Sequence, residues 1–96
     1  MLAYSFDTDK LVQICRDNDV SMVGVFGSSS RGQESEQSDI DLLVEFSIPK
    51  GLLAVGRLEN ELYEALNRKV DLLTEGAISP YIREHVLGEL QILYES

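Results

Sequence analysis

The sequence predicts a small α/β (α+β) domain: a mixed sheet of about four strands with helices packed on it. Three observations predict it. Short apolar runs at 21–26 (SMVGVF), 39–46 (DIDLLVEF) and 70–74 (VDLLT) read as strands. Other stretches repeat apolar residues at spacings of three and four, the period of a helix with one buried face. The resulting order, α, β, β, α, β, α, β, intersperses helices among strands so that their apolar faces can close on one sheet.

Each element follows from local chemistry. Leu11, Val12, Ile14 and Cys15 share one face of a helix between Asp7 and Asn18, with Asp7 as its N-cap. Ser21–Phe26 is a buried strand that stops at Gly27. The small, polar segment 27–38 (GSSSRGQESEQS) is a turn that has room for a helical turn or two from Ser28. It is too short for a full βαβ crossover, so the strands it joins are antiparallel or linked by a very short helix. In DIDLLVEF, Ile40, Leu42, Val44 and Phe46 line one face, which puts Asp39 and Asp41 together on the other. Glu45 shares that face.

Pro49 and Gly51 mark the next boundary. Leu52, Val55, Leu58, Leu62, Ala65 and Leu66 then define an amphipathic helix ending near Asn67, with Arg57, Glu59, Glu61, Glu64 and Arg68 on its outer face. Val70–Thr74 is the third strand and carries Asp71 near its start. Ser79-Pro80 opens a helix by capping chemistry, Ser as N-cap and Pro where its missing N–H does no harm. Ile82, Val86 and Leu90 follow at spacing four, and Gln91–Glu95 is a final edge strand. No repeat or linker interrupts the chain, so residues 1–96 read as a single domain.

Composition narrows the function. A chain of 96 residues supports one core, burying about 60–65% of its unfolded surface. Its 44% hydrophobic and 26% charged residues are those of a folded globular protein. No apolar run approaches the ~20 residues of a membrane span, and Met1–Lys10 lacks a signal-peptide pattern, so a cytoplasmic location is expected. One cysteine and one histidine exclude a disulfide framework, a cysteine-based zinc site and a histidine cluster. Cys15 lies on an apolar helical stripe and reads as core; His85 reads as a partly exposed helical side chain. The net charge of −9 disfavours direct nucleic-acid binding and anionic membranes. It is compatible with a nucleotide held through divalent cations, or with a basic protein partner.

The strongest constellation is Gly27-Ser28, ten intervening residues, then Asp39-x-Asp41. A strand running into a Gly-Ser turn aims backbone N–H groups and a hydroxyl at an anion. Two carboxylates about 7 Å apart on one strand face can share one cation or a pair. Asp71, inside another apolar strand, can supply a third carboxylate to that face. A phosphate cradle beside a carboxylate cluster is what metal-dependent phosphoryl or nucleotidyl transfer requires.

GSSSRG followed by SDIDLLVEF resembles the motif of the DNA-polymerase-β-type nucleotidyltransferase superfamily, and the short chain resembles its minimal nucleotidyltransferase (MNT) branch. The helix after Gly51, VDLLTEG and SPYIREHVL follow the same layout, so the likeness extends over most of the chain. The resemblance implies the nucleotidyltransferase fold, with Gly27 and Ser28 holding the triphosphate of ATP and Asp39 and Asp41 holding Mg²⁺ ions, two in number. It implies that Asp71 completes the metal site and helps activate the attacking hydroxyl, and it matches Arg31 to a basic residue of the turn.

Relatives of this size pair with HEPN proteins, helical ribonucleases, as toxin–antitoxin systems. The resemblance thus implies an antitoxin that transfers AMP from ATP to a tyrosine near the toxin's ribonuclease site. Two alternatives stand beside it at this stage: nucleotidyl transfer to a small molecule, and an antitoxin that masks its toxin by contact without catalysis.

Overall fold

In the computed structural model, residues 6–27 and 39–96 are described. Helix α1 spans Thr8–Asp17, strand β1 Val20–Phe26, β2 Ile40–Phe46, α2 Leu52–Leu66, β3 Val70–Thr74, α3 Pro80–Glu89 and β4 Gln91–Glu95, with a 3-10 turn at Glu75–Ala77. The helix starts follow from their caps. Asp7 accepts from the Lys10 amide at 3.0 Å, and Ser79 Oγ accepts from the Tyr81 amide at 3.3 Å with Pro80 in the first turn. At the other end of α2, Asn67 adopts φ 55° and donates its N–H to the Tyr63 carbonyl at 2.8 Å, which stops the helix and turns the chain.

The strands form one sheet in the order β3-β2-β1-β4. β1 is antiparallel to both β2 and β4, for the first pair one of the two arrangements that the short 27–38 connection allows. β3 runs parallel to β2 after the crossover through α2.

Two clusters sandwich the sheet. On one face Leu11 and Cys15 of α1 and Leu58 and Leu62 of α2 pack with Val23, Val25, Ile40, Leu42 and Val44. An irregularity in β1 between Val20 and Met22 lets Val20 join this cluster although its parity differs from that of Val23. On the opposite face Met22, Leu43, Ile78 and Val86 form a smaller cluster beneath α3. This second layer is why Leu43, on the aspartate face of β2, is fully buried. No helix of the described residues is long and apolar enough to cross a membrane.

Three sequence expectations need correction. Arg68 is buried at 8% exposure rather than lying on the outer face of α2, because the reversal at Asn67 takes it off the helix. Glu59 turns toward the sheet and accepts the Leu72 amide of edge strand β3 at 3.0 Å, satisfying an N–H with no strand beside it. Leu52 is 90% exposed: the first turn of α2 precedes the part that meets the core.

Candidate active site

The site forms where β1 ends, β2 begins and β3 runs alongside. Phe26 is the register partner of Asp41, so Gly27 emerges beside the Asp41 carboxylate. Gly27 has φ of +69°, and a Cβ built there would lie 2.7 Å from Asp41 Oδ2. Both the backbone conformation and the close approach call for glycine.

Across the other edge of β2, Asp41 is in register with Asp71. Parallel partners point to the same side of the sheet, so these carboxylates share a face. Asp39, just ahead of β2, completes the group. Its Oδ2 is 3.8 Å from Lys69 Nζ, and the Lys69 carbonyl accepts the Ile40 amide at 3.0 Å. Lys69 and Asp39 are both largely open to water, so their attraction is screened.

Asp41 records the crowding. Its carboxyl is pushed above the ordinary carboxylate value, first by burial and then by the charges of Asp71 and Asp39. The folded state therefore keeps this proton to a higher pH than the unfolded chain does. Stability falls as pH rises from the ordinary value through the raised one, and stays lower above it. In metal-free buffer near neutrality, Asp41→Asn should melt higher than the wild type, by no more than about 1 kcal/mol because the group is partly solvated. Thermal unfolding across pH checks this: the difference closes below the carboxylate range, and a neutral-pH melting temperature at or below wild type contradicts it.

The donor set suits a hard divalent cation. Among the described residues no three His, Cys, Asp or Glu side chains are pre-arranged as a cation cage. Magnesium does not need one, since it is usually held by one or two carboxylates together with substrate phosphates and waters. A carboxylate raised by its neighbours' charges is also one whose ionised form an added cation would favour.

Asp71 also borders an open depression of about 290 Å³ between α2 and β3, with Glu59, Asn60, Tyr63 and Lys69 around it. Asp71 therefore belongs both to the aspartate group and to the rim of this depression.

Of the sequence-predicted site residues, Gly27, Asp39, Asp41 and Asp71 come together; Ser28 and Arg31 lie outside the described residues. The sequence reading missed two neighbours. Lys69 approaches Asp39, and its place two residues before Asp71 was the available signal. Glu89 accepts the Gly27 amide at 3.1 Å across 62 residues, a contact with no local signature. Cys15 is buried and its thiol is pushed up to about 12, by burial and then by Glu61, so it is an inert core residue. His85 is exposed on α3, with its Nε2 3.3 Å from Glu89 Oε1.

The chain is similar to known proteins in both sequence and fold. Residues 8–93 match the family described as nucleotidyltransferase domain. Protein adenylyltransferase MntA of Thermococcus cleftensis is 39% identical over 71 residues, 74% of this chain and 72% of its own length. A crystal structure of a toxin–antitoxin with AMP-PNP superposes with TM-score 0.83 at 27% identity, over 94% of this chain and 74% of that one. A structure of tri-AMPylated Shewanella oneidensis HEPN toxin in complex with MNT antitoxin gives TM-score 0.74 at 25% identity, over 93% of this chain and 70% of that one. A family match over nearly the whole chain, the shared fold and a relative of this identity lead to one conclusion: the chain belongs to the nucleotidyltransferase domain family.

Proposed function

We propose that this chain is a magnesium-dependent protein adenylyltransferase that moves AMP from ATP onto a tyrosine hydroxyl of a HEPN-type ribonuclease toxin, and so acts as its antitoxin. The observation that carries the chemistry is the meeting of Gly27, Asp41 and Asp71 at one end of the sheet, with Asp39 beside them. The likeness to MntA and to toxin–antitoxin structures, one with an ATP analogue and one with an AMPylated HEPN toxin, supports the donor and the acceptor class.

In this reading Gly27, with Ser28 and Arg31 after it, receives the triphosphate. Asp39, Asp41 and Asp71 would hold magnesium, which when bound neutralises charge on the reacting phosphates. The acceptor oxygen forms a bond to the α-phosphorus as the bond to the β-phosphate bridging oxygen breaks, and pyrophosphate leaves. Asp71, on the side of the open depression, takes the acceptor's proton. The whole chain, 1–96, works as one domain. The negative charge of −9 favours approach to a basic toxin surface.

The test incubates the purified chain with the HEPN-type protein of the neighbouring reading frame and ATP labelled at either the α- or the γ-phosphate. Expected is label on the partner from α-labelled ATP alone. Label from γ-labelled ATP would mean phosphoryl transfer, and no label from either would leave contact masking as the antitoxin activity.

A further inference from the structure

β1 ends at Phe26, and the N–H of Gly27 donates to Glu89 Oε2 at 3.1 Å. Glu89 is the last residue of α3, and the corner that follows it is seated tightly on β1. A Cβ built at Gly24 would lie 2.7 Å from Leu90 Cδ1 and 3.0 Å from the Gln91 carbonyl oxygen. A side chain at Gly24 would push the Leu90 side chain aside and require the Gln91 carbonyl to give by a few tenths of an ångström. From Gln91 the chain pairs antiparallel with β1, which holds the corner in place.

The Glu89 side chain is 19% exposed, and its Oε1 lies 3.3 Å from His85 Nε2 one helical turn back. A Cβ on Gly27 would meet Asp41 Oδ2 at 2.7 Å. The first residue of the Gly-Ser turn thus lies against a carboxylate of the site and is hydrogen-bonded to a carboxylate of α3. A backbone N–H bound to an ionised acceptor makes a bond roughly twice as strong as a neutral one.

We propose that Glu89 is a positioning residue for the nucleotide turn: by holding the Gly27 N–H it sets where the chain leaves β1, and hence where the turn meets the triphosphate. This rests on the nucleotidyl-transfer reading. In this role Glu89 acts through Gly27, whose N–H it accepts. Without it Gly27 is no longer held at the end of β1, and the apparent affinity for ATP drops by the fraction of chains with Gly27 in place.

Two arms test this. In the first, with no ATP present, amide hydrogen exchange at Gly27 is followed in the wild type, Glu89→Ala and Glu89→Gln. Expected is protection in the wild type, loss of it in the alanine variant and retention in the glutamine variant, whose amide oxygen still accepts. In the second, kinetics with the toxin partner should show KM for ATP raised by about 10–100-fold in Glu89→Ala with a smaller change in kcat, and recovery in Glu89→Gln. A rapidly exchanging Gly27 amide in the wild type overturns the proposal. So does an alanine variant with unchanged KM, or tighter ATP binding in both variants, which would make the carboxylate a competitor of phosphate. If Glu89→Ala does not fold, the wild-type exchange and the glutamine variant decide. A wild type that binds no ATP overturns the nucleotide reading and the proposed role together, while the exchange arm still decides the contact.

Discussion

Asp39→Asn and Asp41→Asn should each abolish adenylyl transfer while leaving the fold intact. The α-phosphate gathers negative charge as the acceptor attacks and pyrophosphate leaves, and cation-holding carboxylates are what allow that charge to be offset. An amide keeps the shape of the side chain and loses the charge. The expected drop in rate is on the order of 10³–10⁵, the span of charge-neutralising groups in phosphoryl transfer. Asp41 is the more informative position. It sits against Gly27, in register with Asp71, with its carboxyl raised by burial and by both other aspartates. Loss of activity with an unchanged or raised melting temperature separates a chemical role from a structural one. Chelation by EDTA should reproduce the defect in the wild type. Full activity in EDTA, or in either variant, would remove the carboxylate group from the chemistry.

Asp71→Asn should behave differently: turnover falls by about 10²–10⁴, the usual span for a positioned general base, and ATP still binds. Asp41 lies in β2 against Gly27, with Asp39 just ahead of that strand, whereas Asp71 comes from β3 and borders the open depression beside α2. In the proposed mechanism its place is on the acceptor side. Steady-state kinetics together with calorimetric ATP titration check this, with kcat reduced and the ATP dissociation constant within experimental error of the wild type. A variant with normal kcat at saturating substrates would restrict the chemistry to Asp39 and Asp41. Equal loss of ATP binding would move Asp71 to the nucleotide side.

Where local chemistry decides, the sequence was readable to the residue. Ser79 and Pro80 open α3, Val70–Thr74 is β3, and Gln91–Glu95 is an edge strand. The two-residue period of β2 grouped Asp39 with Asp41, on which its charge acts, and the short 27–38 connection left an antiparallel pair or a very short helical link, of which β1 and β2 form the antiparallel pair. What depends on tertiary docking was not readable. Alternation along β2 could not show that α3 would cover Leu43, on the aspartates' own face. Helical periodicity counted Leu52 and Arg68 as if α2 met the core along its full length, while the exposed first turn and the Asn67 reversal place them otherwise. The Glu89–Gly27 contact needs β4 to return along β1 and Gly24 to admit the corner before it, conditions spread over distant parts of the chain.

The most direct measurement is the intact mass of the HEPN-type partner after co-expression with this chain, set beside co-expression with Asp39→Asn/Asp41→Asn. Expected is a partner heavier by one or more adenylyl groups, carried on tyrosine, with the wild-type chain and an unmodified partner with the variant. An unmodified partner in both, with its ribonuclease activity still suppressed, would contradict adenylyl transfer and assign neutralisation to binding alone.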